Sequence, residues 1–295
     1  MSSDGTPHIP GGWPRRTSVP CDDTAMTDFR DALRVKPRAD IRLGHRDPGD
    51  TSGWARDAAM EQTATELERL ADLQDRLWAE AKHPVLVVLQ GIDAAGKDGT
   101  IKKVMTAFNP QGSPVTAFKV PSAEELAHDF LWRVHKAVPR KGEIGIFNRS
   151  HYEEVLVVRV HQLVPKSVWS KRYDLINAFE RHLVETGTTV VKFFLFIDKD
   201  EQRARFQARY DDPAKRWKFS MGDLSERKLW DDYQAAFDDM LDKTSTDIAP
   251  WYLIPANHKW FRDLAVSTIL ADTIDDLKPE YPLVAADVPK DLVID

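Results

Sequence analysis

The stretch VLVVLQGIDAAGKDGTIKKVM, residues 85–105, decides the fold. Its first part, Val85 to Leu89, is short, apolar and mostly β-branched. That is the composition of a strand buried on both faces of a parallel sheet. Gly91 and Gly96 then bracket Ile92-Asp93-Ala94-Ala95, and Lys97 opens a segment that reads as a helix. Strand, GxxxxGK loop and helix in this order are the setting of a phosphate-binding loop, the P-loop. Glycine lets the backbone turn tightly, so that its N–H groups can face an anion, and the helix N-terminus adds partial positive charge. We therefore expect Gly91, Ala94, Ala95, Gly96, Lys97, Asp98 and Gly99 to cradle phosphate, with the Lys97 ammonium reaching the terminal groups. A plain βα turn is the alternative reading.

Two positions depart from the usual loop. The residue after the lysine is normally Ser or Thr, whose hydroxyl binds magnesium; here it is Asp98. An acid in a helix's first turn is favoured by the dipole alone, so Asp98 has a structural reading as good as its functional one. Asp93 lies inside the loop, where a carboxylate repels phosphate oxygens unless a cation or proton intervenes. It reads as a metal ligand or as a group aimed at an acceptor phosphate.

Working outward, Leu67, Leu70, Leu73 and Leu77 recur at helical spacing within Ala58–Lys82, and His83-Pro84 ends that helix. Downstream, strands are expected at 114–119, 143–147, 188–197 and 251–254. Helices are expected at 122–138, 150–161, 167–185, 199–210, 223–243 and 258–277. Ser122-Ala-Glu-Glu125 and Ser150-His-Tyr-Glu153 both have capping-box spacing. Alternating strands and helices define an α/β layered fold with a mainly parallel sheet. The core, 55–277, fits one domain. Residues 1–54 read as a flexible arm, holding 6 of the 18 Pro and 6 of the 14 Gly, although Phe29–Leu43 could dock on the body. Residues 278–295 read as a tail.

Strand 143–147 runs into Asn148-Arg149-Ser150-His151-Tyr152-Glu153. Ligands of open α/β sheets gather beyond the strands' carboxyl ends, and an arginine there can grip phosphate through two parallel hydrogen bonds. An ion pair with Glu153 is the simpler reading of Arg149, and a satisfied helix-start histidine is the simpler reading of His151. The segment 202–218 carries Arg203, Arg205, Arg209, Lys215, Arg216 and Lys218 against Asp211 and Asp212, a net +4. Residues 133–149 also carry +4, yet the whole chain is −6. Two basic segments on an acidic chain point to a focused anion site rather than a nucleic-acid coat. A helix, an Asp-Asp-Pro break and a basic stretch after a strand form a hinged lid at about 202–222; a solvated face with surface ion pairs is the alternative.

The 295 residues suffice for a full core, and a single cysteine, Cys21, excludes an internal disulfide framework and a cysteine zinc cage. No apolar run has the length of a membrane helix, and the start lacks a signal peptide's apolar core. A cytoplasmic location is the expectation.

The segments VLQGIDAAGKDGTIKKVM (88–105), PSAEELAHDFLWRVHKAVP (121–139), KGEIGIFNRSHYEEVLVVRVH (141–161), DDPAKRWKFS (211–220) and APWYLIPANHKWFRDLAV (249–266) together resemble the polyphosphate kinase 2 family. The resemblance spans about residues 34–276. It implies a thymidylate-kinase-like P-loop fold, a three-layer sandwich with a helical basic lid, and a magnesium-dependent transfer in which manganese can substitute. It implies inorganic polyphosphate as donor, nucleoside mono- or diphosphates as acceptors, and a homo-oligomer, dimer or tetramer. Asp93, Lys97 and Arg149 then become the catalytic set, with Asp93 as metal ligand. Arg209, Lys215, Arg216 and Lys218 match the lid, and Asn148, Arg149 and Glu153 match the nucleotide site. Many members carry Asp-Arg where this chain has Asn148-Arg149; the Asn-Arg-Ser-x-Tyr-Glu form resembles the branch that accepts monophosphates. Transfer is expected in line, without a phosphohistidine. An ATP-dependent nucleotide kinase and a non-catalytic polyphosphate or nucleotide sensor are the competing readings.

Overall fold

A computed structural model describes residues 28–283. The expected mobility of residues 1–27 and of the tail beyond 283 lies outside the described residues. Five parallel strands form one sheet in the order β2-β3-β1-β4-β5. They are β1 (Val85–Gln90), β2 (Val115–Ala117), β3 (Ile144–Asn148), β4 (Thr189–Phe196) and β5 (Trp251–Pro255). All six residues of β1 are buried, so the central strand is covered on both faces, as its apolar composition requires.

One layer contains α2 (Arg56–Glu80), α3 (Lys97–Lys103) and α12 (Lys259–Asp275), with α2 and α12 packed along each other. Leu70, Leu73 and Leu77 of α2 are buried, as the helical spacing predicts. The helix stops at Ala81, which takes a left-handed φ of 53° before His83-Pro84. The other layer contains α8 (Arg172–Glu185) and α11 (Trp230–Thr244). Phe194 of β4 meets Phe237 of α11 at 4.7 Å between ring centres. From β4 the chain enters α9 (Lys199–Asp211), then α10 (Met221–Lys228) and α11.

Residues 28–54 do not form a free arm. Here α1 (Phe29–Leu33) is capped by the Asp28 carboxylate, which accepts from Arg30 N at 2.8 Å. Phe29, Val35, Ile41 and Leu43 are buried, and Val35 N donates to Trp251 O at 2.8 Å on the outer edge of β5. Each burial contributes about 1.5–3 kcal/mol. Four such residues, docked singly, hold a segment that shows no period.

Four expected helices are broken. Ser122 and Glu125 do form a capping box, at 3.2 and 2.7 Å, but α4 (Ala123–Leu126) ends before α5 (Trp132–His135) begins. Between them the Asp129 carboxylate accepts from Leu131 N at 2.9 Å, a local turn bond that competes with the helix. At Ser150 there is no reciprocal box. Its hydroxyl accepts from Tyr152 N, a 3-10 turn runs His151–Glu154, and α6 (Val157–Val160) follows. Glu153 spends its carboxylate on Gln90 and Arg149 instead. The expected helix 167–185 divides into α7 (Lys166–Trp169) and α8, and the helix expected from 223 divides at Leu229 into α10 and α11.

Candidate active site

Sheet register assembles the site. Leu89 of β1 pairs with Asn148 of β3, so the loop after β1 and the turn after β3 leave the sheet side by side. Gly91 has φ 151°, and a Cβ there would stand 2.6 Å from Leu195 O; the loop passes too close to β4 for any side chain. Gly96 has φ 115° and precedes α3 as its N-cap. Ala94 and Arg149 adopt left-handed φ values of 66° and 61°, a conformation that costs non-glycine residues free energy and collects at functional sites.

Lys97 is buried, and its Nζ donates to Gly91 O at 2.6 Å and to Ile92 O at 3.3 Å. Burial, helped by the nearby Arg149 cation, pushes its ammonium pKa down to about 8, against the pull of Asp93, Glu153 and Asp98. Arg149 forks across two acids. One Nη pairs with Asp93, the other with Glu153 at 3.3 Å. Burial acts to raise the Asp93 carboxyl, but Arg149, Lys97 and Arg209 together hold it below the usual carboxylate range. The opposite balance holds for Arg149: Glu153 and Asp93 outweigh its burial and raise it. The Glu153 pairing expected as the simpler reading is therefore present, and Asp93 joins it.

Asp98 sits in the first turn of α3 and accepts from Asn148 Nδ2 at 2.7 Å, tying the loop to the β3 end. His151 is a buried residue with its Nε2 3.2 Å from Glu180, a packing role as expected. The lid residues divide. Arg209 lies close enough to lower Asp93 and faces Asp223 at 3.6 Å. Lys215, Arg216 and Lys218 are exposed and are not brought to the loop: Lys215 pairs with Asp212 at 2.6 Å, Arg216 donates to Tyr210 O at 2.7 Å, and Lys218 lies over Trp217 at 5.1 Å.

Sequence reading missed the residues that hold the loop from behind. Arg205 Nη1 donates to Ala94 O at 3.0 Å and Ala95 O at 2.8 Å. Arg262 reaches Gly96 O at 3.4 Å, and Gln202 Nε2 donates to Asp93 O at 3.0 Å. Arg205 was visible only as one of the basic residues of α9, and Arg262 only as one position of the 249–266 segment, with no role attached. Glu226, Tyr233 and Phe237 line the cleft over Asp93, Arg149 and Glu153. Beneath the turn, Lys192 donates to Glu180 at 2.6 Å, to Tyr152 Oη at 2.8 Å and to Thr244 O at 2.8 Å, all fully buried. Among the described residues no three His, Cys, Asp or Glu converge as a self-sufficient metal site, and no helix is long and apolar enough to cross a membrane.

A phosphate loop after the central strand, a buried lysine in it, an arginine at the adjacent strand end and a basic helix above define a P-loop phosphotransferase. Residues 54–282 match the profile of polyphosphate kinase 2. The chain is 56% identical over 251 residues to the AMP/ADP-polyphosphate phosphotransferase of Meiothermus ruber, covering 84% of this chain and 94% of that one. It is 46% identical over 271 residues to the ADP-polyphosphate phosphotransferase of Rhodopseudomonas palustris, covering 85% and 93%. The crystal structure of polyphosphate kinase 2 from Arthrobacter aurescens superimposes with TM-score 0.84 at 44% identity, covering 88% of this chain and 93% of that one. The chain belongs to the polyphosphate kinase 2 family.

Proposed function

We propose that the protein moves the terminal phosphoryl of inorganic polyphosphate to AMP or ADP. The observation that carries this reading is the Arg149 fork between Asp93 and Glu153, beside the buried Lys97. It supports a reading in which one cation stands between a loop for one phosphate chain and a cleft for another. The names of the Meiothermus and Rhodopseudomonas relatives supply the substrate classes.

Phosphoryl transfer needs positioning and charge neutralisation more than covalent chemistry. Gly91 and residues 94–99 hold the donor end with backbone N–H groups, and Lys97 turns from its carbonyl partners to the phosphates. Arg149 exchanges a carboxylate for the acceptor phosphate and so bridges both substrates. Arg209 adds positive charge from α9, and closing of the 202–222 lid brings Lys215, Arg216 and Lys218 over the chain. Asn148 and Glu153 face the nucleotide.

Magnesium fits this donor set. It binds through one or two carboxylates plus substrate phosphates rather than a protein cage, and Asp93 offers a carboxylate that stays ionised. When bound, the metal neutralises phosphate charge; manganese satisfies the same ligands. Transfer is direct and in line, the phosphoryl passing from donor to acceptor without a covalent phosphoenzyme. Assembly as a dimer or tetramer is tested by light scattering at assay concentration.

The test offers polyphosphate and magnesium with AMP, then with ADP. ADP and ATP should form. Turnover only when ATP replaces polyphosphate would favour an ordinary nucleotide kinase, and absence of turnover with every donor would favour a sensor.

A further inference from the structure

Away from the cleft lies a cavity of about 470 Å³ that the reaction above does not use. Its walls come from the start of α2, the end of α3, the start of α9 and the β5–α12 junction, with Arg56, Lys103, His258, Lys259 and Trp260 among them. Its two acids are already committed. Glu201 pairs with Arg205 at 2.6 Å and Asp263 with Arg262 at 2.6 Å. Its three permanent cations are not: among the described residues, Arg56, Lys103 and Lys259 have no carboxylate within the 4.0 Å ion-pair distance. Lys103 and Lys259 both bias the Asp263 carboxyl, so their charges converge on one wall.

The cavity borders the back of the phosphate loop. Arg205 and Arg262, which hold the Ala94, Ala95 and Gly96 carbonyls, are the partners of the cavity's acids. Lys103 is six residues along α3 from Lys97, a separation of about 9 Å at the helical rise. An anion chain with its end on the loop needs a few further units to reach it.

We propose that this cavity seats the distal, non-reacting phosphates of a linear polyphosphate whose end lies on the P-loop, and so sets the preference for donor length. The inference rests on the donor assigned above. Three unpaired cations from three separate elements fit an extended polyanion better than a nucleoside, whose uncharged base would leave them unanswered. The stacked His258 and Trp260 rings, 5.4 Å apart, stand in the cavity wall beside Lys259.

The experiment compares wild type with the Arg56→Gln/Lys103→Gln/Lys259→Gln variant, checked for native circular dichroism. The Lys103→Gln single variant serves as a second reading should the triple fail to fold. Equilibrium binding of end-labelled long-chain polyphosphate, of tripolyphosphate and of ATP is measured across salt. The triple variant should lose long-chain affinity about ten-fold or more beyond any loss for tripolyphosphate. Its log–log salt slope should fall by about 2, because released counterions scale with phosphates neutralised. Equal losses for long and short chains, or an unchanged long-chain Kd, would overturn the proposal. So would a loss confined to ATP, which would assign the cavity to a nucleotide base. Parallel turnover assays separate the two claims: long chains bound through these cations but never used as donor would defeat the proposed function and leave the site standing.

Discussion

Lys97 is the residue whose chemistry is most exposed to pH. With its pKa lowered to about 8 by burial and by Arg149, the free enzyme carries the charged lysine below that pH and loses it above. A neutral amine cannot draw in phosphate. The expected kcat/KM therefore falls with a one-proton slope above about pH 8, while kcat, which reports the bound complex where phosphate restores the proton, stays flatter. Lys97→Arg should remove that limb, since guanidinium does not titrate in this range; a kcat/KM limb unmoved in the variant would detach it from Lys97. Asp93→Asn removes a carboxylate held ionised between Arg149 and Lys97. Turnover should drop about 100-fold or more, and full activity in a folded variant would exclude Asp93 from the chemistry. The positions of Asp93 and Lys97 in the loop after β1, and of Arg149 at the end of β3, were legible in the sequence from the apolar strands before them. Arg205 and Arg262 were not, because their targets are backbone carbonyls of the loop, which tertiary folding alone brings near.

At the scale of elements, the turn carrying Arg149 and Glu153 rests on a buried polar network joining β4, α8 and α11. Lys192, Glu180 and Tyr152 satisfy one another there. Burial drives the Glu180 carboxyl upward, but Lys192 and His151 overcome it and hold it low; burial also keeps the Lys192 amine below its ordinary value. Lys192→Met takes the lysine cation from Glu180 in the core, leaving it only Tyr152 and His151, and should cost about 3–5 kcal/mol in denaturant unfolding. A loss below about 1 kcal/mol would show that Glu180 finds another partner or a proton. Strands β1, β3, β4 and β5 were readable because each is a run of residues buried on both faces. The helices over 122–138 and 150–161 were misread as continuous, since Asp129 takes a local turn bond and Glu153 a tertiary one. Neither choice has a periodic signature.

For the whole molecule, the parallel sheet and its two helical layers follow from the alternation of strands and helices, and the phosphate loop follows from its place after the central strand. Residues 28–54 lie outside that alternation and were read as an arm, yet the docking weighed for Phe29–Leu43 is present, with Phe29, Val35, Ile41 and Leu43 buried one at a time. Charge is distributed on the same scale: the chain is acidic, yet cations gather in the segment 202–218 and behind the loop. Lid cations should act on donor affinity rather than on the chemical step. Arg216→Ala should raise the polyphosphate KM with kcat little changed, and added salt should narrow the difference from wild type. A KM identical to wild type at every salt concentration would place Arg216 outside the donor path.

The central claim is that one arginine joins two phosphate chains across the cleft. Its most direct test is a single-turnover quench of enzyme, magnesium and ADP, with polyphosphate as the sole phosphoryl source, run on wild type and Arg149→Ala. Wild type should form ATP in one exponential, and the variant should be slower by about 100-fold or more. ATP formed at the same rate in both, or formed by neither, would contradict it.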